Sequence, residues 1–221
     1  MENNISNINQ VMKTLEKHFN YAERTTLNRM RKEKNPNAFK ILISCLLSLR
    51  AKDETTERIS EELFKIVDTP KEILGLSTKR LEKIIFSTGH YHKKAQALKS
   101  VSKELINRFN SKVPNTKEEL LSIKHIGPKT ANIVLNFAFN QLVIPVDVHV
   151  HIVANRVGWV HTKNAEKTEI ELEKVLPKRY WAEINGIFVL FGREICQTFS
   201  PKCSVCPIKE YCPRINVVRS R

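Results

Sequence analysis

The sequence predicts an all-α protein whose C-terminal end is stapled by a metal. Two observations carry the helical part. Apolar residues recur at three- and four-residue steps along most of the chain. The one stretch that could pass for a strand, 142–150, is interrupted by Pro145, which has no N–H to give to a ladder. The staple is read from Cys196, Cys203, Cys206 and Cys212, spaced C-x6-C-x2-C-x5-C. Thiolates are soft ligands, and four packed so closely suit a tetrahedral metal or a cuboidal iron–sulfur cluster. Thiolate count leaves zinc and iron–sulfur both open. The uneven gaps suit zinc less well, because zinc modules usually offer two short cysteine pairs and only one short gap occurs here. Disulfides are the rival reading, but the opening MENNISNINQ lacks the apolar core of a secretion signal that would accompany them. The fifth cysteine, Cys45, lies inside ILISCLLSL and is expected to be a buried free thiol.

The elements follow in order. Ile5, Ile8, Val11, Met12, Leu15 and Phe19 predict the first helix. Asn37 is placed to cap a second, with Phe39, Ile41, Leu42, Leu46 and Leu47 facing inward. Thr56 is expected to cap a third that buries Ile59, Leu63, Phe64 and Val67. Leu98, Val101, Leu105 and Phe109 mark another helix, and Thr116-x-x-Glu119 reads as a capping box ahead of Leu120, Leu121 and Ile123. Within LSIKHIGPKTANIV one helix ends near Ile123. A tight turn then passes through His125, Ile126 and Gly127, and Pro128 opens the next helix. Helical patterns continue near 148–158, 165–176 and 180–191, and the closing NVVRSR is expected to fray.

At 221 residues the chain is long enough for one good core or two modest ones. Its net charge of +14 favours an anionic polymer as partner, nucleic acid above all. A membrane surface is the weaker alternative. No apolar run is long enough to cross a bilayer, and no strongly basic amphipathic helix or lipidation signal stands out. Charge alone also permits a merely soluble basic surface.

Chemistry concentrates at two further places. The 125–127 turn leaves backbone N–H groups pointing outward at a helix N-terminus, a ready site for a DNA phosphate. It also sets Lys129 in the first turn of the new helix. There the positive end of the dipole and partial burial both disfavour an ammonium, as an amine nucleophile requires. Taken alone, Lys129 is equally well a solvated helix-start lysine. Asp147, in VDVHV, stands where a helix begins, and taken alone it is an ordinary N-cap.

Helix–hairpin–helix with a lysine, then an aspartate, then a four-cysteine loop is an order that resembles the endonuclease III family of DNA glycosylases. The cysteine spacing matches that family's iron–sulfur loop. GPKTANIVLNFAF resembles its hairpin and catalytic-lysine segment, VDVHV its catalytic-aspartate segment, and LLSLRAKDETT and STGHYHKKAQALK two further segments. The similarity runs roughly from residue 12 to residue 212. It implies a six-helix barrel over 31–141 that carries the helix–hairpin–helix at about 120–139. It implies a second, discontinuous domain of 1–30 and 142–221 that holds a [4Fe-4S] cluster in the 196–212 loop. The DNA cleft would lie between them, with Lys129 and Asp147 on opposite sides. The implied activity is removal of damaged pyrimidines followed by cleavage at the abasic site. Asp147 would stabilise the oxocarbenium-like sugar and take the proton of the attacking amine, and Lys129 would form a Schiff base at C1′. His125, Ile126, Gly127, Thr130, Arg50, His90, His149 and Lys202 are the implied DNA contacts, with Lys209 as a further phosphate neighbour. The implied partner is duplex DNA with damaged, mismatched or abasic sites, bound by a monomer in the cytoplasm, close to the nucleoid and away from membranes.

Three residues depart from the family pattern. His125 replaces the first hairpin glycine, Arg50 replaces a glutamine after LLS, and His90 replaces an apolar wedge after Gly89. Arg50 and His90 fall where the family's DNA complexes meet the unpaired base and the gap. An arginine fork there favours guanine as the opposite base. Other glycosylases of the superfamily and a non-catalytic protein are the alternatives. A thymine or uracil mismatch glycosylase of the same superfamily usually lacks the lysine, and an adenine-mismatch enzyme carries an extra C-terminal domain, whereas this chain ends soon after Cys212. A non-catalytic iron–sulfur DNA-binding protein would use the same cysteines, charge and hairpin. Lys129 with Asp147 separates an enzyme from such a binder.

Overall fold

A computed structural model describes residues 2–20, 36–51 and 53–221. The domain boundary expected at 30/31 and the side chain of Ile5 lie outside the described residues. Regular structure among the described residues is helical, with no strand, and Pro145 sits in an extended link between two helices. Contacts divide the described residues into two compact units. One joins the N-terminal helix to Leu142–Arg221, and the other reaches as far as Gln141.

In the second of these units, α2 (Ala38–Ser48) is apolar nearly all round and buries Ile41, Leu42, Ile43, Leu46 and Leu47. A helix without a polar face can only be central. Asn37 caps it, accepting from the Lys40 N–H at 3.1 Å. Helix α3 (Asp53–Phe64) begins earlier than expected, so Thr56 is an interior residue and not its cap. Two short helices follow, α4 (Pro70–Gly75) and α5 (Thr78–Ile85), the second burying Leu81 and Ile85 on one face. The full capping box belongs to Thr69 and Glu72 at the head of α4. At α7 (Lys117–Leu121) the Thr116 hydroxyl donates to the Glu119 carboxylate at 2.8 Å. Between them α6 (Tyr91–Phe109) packs Leu98, Val101 and Leu105 into the core and lies along α4 and α5. Helix α8 (Pro128–Phe139), almost wholly buried, lies against α2.

The other unit is built from α1 (Glu2–Phe19), α9 (Val148–Arg156), α10 (Ala165–Val175) and α11 (Ile184–Glu194). Ile8, Val11, Met12, Leu15 and Phe19 form the buried stripe of α1, meeting Val150, Val153, Phe188 and Phe191. Phe19 and Phe191 stack edge-on at 6.4 Å, and Trp159 and Phe188 lie 5.4 Å apart. Each such large side chain contributes about 1.5–3 kcal/mol on burial, so the apolar stripe holds α1 in this core. Beyond α11 the cysteine loop runs through two short 3-10 turns, Cys203–Val205 and Lys209–Tyr211. The last residues do not fray. The Ile215 N–H donates to the Arg156 carbonyl at 3.1 Å, and the Arg221 N–H donates to the Pro201 carbonyl at 2.9 Å. The Arg221 carbonyl accepts from Ser204 at 3.2 Å. Backbone pairing onto the loop holds a tail whose composition looked free.

Candidate active site

The hairpin forms because Ile123 and Ile126 are buried on either side of its bend. The Ile126 N–H donates back to the Ile123 carbonyl at 3.1 Å, and His125 takes φ +74° between them. Histidine therefore occupies a left-handed position, one that polar residues and glycine enter at the least cost. Gly127 is extended, and a Cβ there would meet nothing within 4 Å. Its openness faces outward, toward whatever the turn binds. Pro128 opens α8, so the N–H groups of Lys129 and Thr130 belong to the first turn, which intrahelical bonds leave unfilled. Thr130 is buried, so it is the backbone N–H and not the hydroxyl that can serve a phosphate. Lys129 is half-buried. Its charge lowers the Cys45 thiol, but burial dominates and pushes that thiol up to about 12.

Asp147 is a true N-cap. Its Oδ1 accepts from the His149 N–H at 2.9 Å and from the Val150 N–H at 3.0 Å. Asn185 donates to the Pro145 carbonyl at 2.9 Å and pins the link ahead of it. The His149 ring lies across Gly192 of α11. A Cβ on Gly192 would be 2.3 Å from His149 Nδ1 and 2.8 Å from Cγ. Only a glycine lets the first turn of α9 come down this close, so Gly192 sets the height at which Asp147 is presented.

Arg50, His90 and His125 come together. All three are left-handed, with φ +54°, +47° and +74°, and all three line one cavity of about 370 Å³ with Leu49, Lys93 and Lys94. Left-handed backbone costs non-glycine residues roughly 1–2 kcal/mol each. Strain of this kind persists where the surroundings over-determine it, and it collects at functional sites. Gly89, at φ +68° and ψ 157°, holds a conformation essentially closed to side chains and delivers His90 to the rim. Lys94 lies within STGHYHKKAQALK but carries no role there. Its sign in the sequence is that it continues the apolar stripe of Leu98, Val101 and Leu105. It is buried, donating to the Leu47 carbonyl at 2.7 Å and the Thr88 carbonyl at 2.8 Å, and burial lowers its ammonium to about 8.

The four cysteines line a single small cavity walled by Val157, Phe191, Ile195 and Val217. Burial raises the thiols of Cys196 and Cys212, and raises Cys206 to about 11. Among the described residues no three His, Cys, Asp or Glu side chains converge closely enough to hold a single metal ion. Arg156 serves this cage. Its guanidinium donates to Cys196 Sγ at 3.3 Å and to the carbonyls of Cys196, Gln197 and Thr198 at 3.1, 2.8 and 2.6 Å. Nothing in the local pattern of NRVGW foretold this. Lys202 also lines the cavity, and Lys209 is exposed nearby.

A helical fold with a lysine-bearing hairpin, a capping aspartate and a cysteine cage defines the class of helix–hairpin–helix DNA repair glycosylases. Comparison with known proteins agrees. The family model described as HhH-GPD superfamily base excision DNA repair protein matches residues 43–178. Endonuclease III of Thermotoga maritima is 41% identical over 182 residues, covering 82% of this chain and 85% of that one. Endonuclease III of Rickettsia felis is 37% identical, covering 81% and 84%. A trapped endonuclease III–DNA covalent intermediate is similar in structure, with a TM-score of 0.78 at 29% identity over 94% of this chain and 96% of that one. A thermostable thymine-DNA glycosylase, at a TM-score of 0.81 and 22% identity over 95% and 96%, shares the fold. The chain belongs to the endonuclease III family of the HhH-GPD superfamily. It is an enzyme of base excision repair, a DNA glycosylase and AP lyase, and its partner is DNA.

Proposed function

We propose that this enzyme releases oxidised or otherwise damaged pyrimidines from duplex DNA through Lys129 and Asp147, then cuts the strand by β-elimination. The observation that carries the proposal is Lys129 in the first turn of the helix that the hairpin opens, half-buried and two residues after the open Gly127. The target base leaves the stack at a cost of a few kcal/mol, least for a damaged base. As the N-glycosidic bond breaks, its electron pair goes to the base and positive charge grows on the sugar, which the Asp147 carboxylate stabilises. The Lys129 amine bonds to C1′ and gives its proton to Asp147. Ring opening yields the protonated Schiff base, loss of a C2′ proton follows, and the 3′ phosphate departs with its electron pair. The outward amides of the hairpin around His125, Ile126 and Gly127, with the N–H of Thr130, hold a phosphate. His149 and Lys202 add further DNA contacts, and Lys209 sits near the backbone. Arg50 and His90 face the unpaired base and the gap.

Residues 31–141 form the barrel domain in this reading, and 1–30 with 142–221 form the cluster-bearing one. Cys196, Cys203, Cys206 and Cys212 hold a [4Fe-4S] cluster, which when bound staples the 196–212 loop. The uneven C-x6-C-x2-C-x5-C spacing suits a cuboidal cluster better than zinc, and the four thiols line one cavity where Arg156 donates to the Cys196 sulfur. The enzyme acts as a monomer on damaged, mismatched or abasic duplexes near the nucleoid in the cytoplasm. No helix among the described residues is long and apolar enough to cross a membrane.

Incubation with abasic and thymine-glycol duplexes under borohydride tests the mechanism. A covalent protein–DNA adduct is expected, and it should vanish in Lys129→Ala. Full trapping in that variant would move the nucleophile elsewhere. Metal analysis of protein isolated anaerobically should find iron and sulfide, and stoichiometric zinc would overturn the cluster assignment.

A further inference from the structure

One buried charge takes no part in base release or strand cleavage. Lys94 stands on the inward face of α6, one turn before Leu98, and its head group never reaches the bulk solvent that a lysine usually seeks. It meets two backbone carbonyls from separate segments, Leu47 O at 2.7 Å and Thr88 O at 2.8 Å. Leu47 lies in the last turn of α2, and Thr88 closes the short 3-10 turn Phe86–Thr88. Carbonyls at such ends lack an onward N–H partner and carry the negative pole of their helix, so a cation suits both.

The two segments share a further property. Arg50 follows Leu47 by three residues and His90 follows Thr88 by two, and each is left-handed. Neither conformation is one that a bulky side chain keeps unaided. We infer that Lys94 is a positioning residue: its ammonium ties the end of α2 to the Thr88–Gly89 turn and so fixes Arg50 and His90 on the rim of their shared cavity. The inference rests on the reading of Arg50 and His90 as the residues that face the gap and the unpaired base. Methionine would fill the same volume and donate nothing, leaving both carbonyls unpaired and both segments free to relax. Lys93, the next residue on the cavity wall, has no such pair of bonds to make the tie.

The test uses the full-length, cluster-loaded protein with Lys94→Met. Lys94→Gln, which keeps an N–H donor, serves if the methionine variant does not fold. Amide hydrogen exchange is followed in peptides covering 48–51 and 88–91, with α11 as the reference. Base release is measured for one lesion opposite guanine and opposite adenine, alongside cleavage of a pre-formed abasic site. Exchange should rise about tenfold or more in both segments and stay unchanged in α11. The guanine-to-adenine ratio should fall toward one, with abasic-site cleavage within about twofold of wild type because no base then has to be held out. Unchanged exchange in both segments would overturn the inference, as would a failure of both variants to fold. So would a uniform loss of DNA affinity with a shallower salt dependence and unmoved exchange, which would make Lys94 a phosphate contact. Arg50→Ala separates the two layers. If it erases the ratio while Lys94→Met keeps it, the positioning role fails. If Arg50→Ala and His90→Ala both leave the ratio at the wild-type value, the reading of those residues fails, and exchange together with the rate of base release decides Lys94.

Discussion

Gly192→Ala probes how Asp147 is held, without touching it. Gly192 is buried in α11, directly under His149. The new methyl carbon would stand 2.3 Å from His149 Nδ1, where ordinary contact begins at 3.4 Å, so the ring must retreat by about 1 Å. His149 cannot retreat alone, because the contact reaches its Cβ at 3.0 Å and its N–H is bound to Asp147 Oδ1. Alanine gains about 1 kcal/mol over glycine inside a helix. Overpacking a filled core costs about 1–3 kcal/mol. The balance is a loss of up to about 2 kcal/mol, and for a chain of this size each kcal/mol moves Tm by roughly 2–4 °C. The larger effect is on rate: a misplacement of about 1 Å at a reacting group can cost on the order of 10²-fold. Base release from a thymine-glycol duplex should therefore slow by roughly 10- to 100-fold while Tm falls by only a few degrees. Adding His149→Ala should recover the lost Tm, since it removes the colliding ring. A Gly192→Ala protein with wild-type base release and a raised Tm would show that His149 swings aside without disturbing the cap, and the reasoning would be wrong.

Other expectations follow from the same contacts. Asp147→Asn keeps a good N-cap and should hold its Tm, whereas Asp147→Ala should lose about 1 kcal/mol of stability; both should slow base release by ~10²-fold or more, and equal melting of the two would deny the capping role. Arg156→Met removes a guanidinium that donates to three backbone carbonyls and Cys196 Sγ. A loss of about 2–4 kcal/mol is expected, with faster loss of the proposed cluster to a chelator, and wild-type cluster retention would count against it. Burial lowers Lys94 from its usual 10.5 to about 8, so between those values the unfolded chain binds more protons than the folded one and stability rises with pH. The stability gap between wild type and Lys94→Met should therefore widen from about pH 8 upward, and a flat gap would place the lysine in a more solvated site.

What the sequence revealed was uneven for physical reasons. Long amphipathic helices such as α1 and α6 show their buried stripe, because each apolar position adds to one periodic signal. Helix α4 is too short to show a period, and its sign is the Thr69–Glu72 box; α5 carries its stripe in Leu81, Ile84 and Ile85 and its start in the Ser77 cap, which accepts from the Arg80 N–H at 3.2 Å. Thr56 misled because any threonine before an apolar run looks like a cap, whereas the helix runs from Asp53. The tail misled because its stability comes from backbone pairing with Pro201 and Ser204, and backbone pairing leaves no trace in residue type. The hairpin, Lys129, Asp147 and the cysteines were legible because chemistry demands those residue types at those intervals. Arg156 and Lys94 were not, since each acts on carbonyls contributed by distant segments.

The three departures from the family pattern gain their meaning from this contrast. Arg50, His90 and His125 are scattered over seventy-five residues, yet the fold gathers them on one cavity, each in a left-handed conformation. The residues proposed for bond breaking keep the family's types, and those proposed to face the opposite strand do not. In the proposed reading these departures fall where the partner base would be met, and Lys94 binds the two carbonyls that precede Arg50 and His90 in the chain.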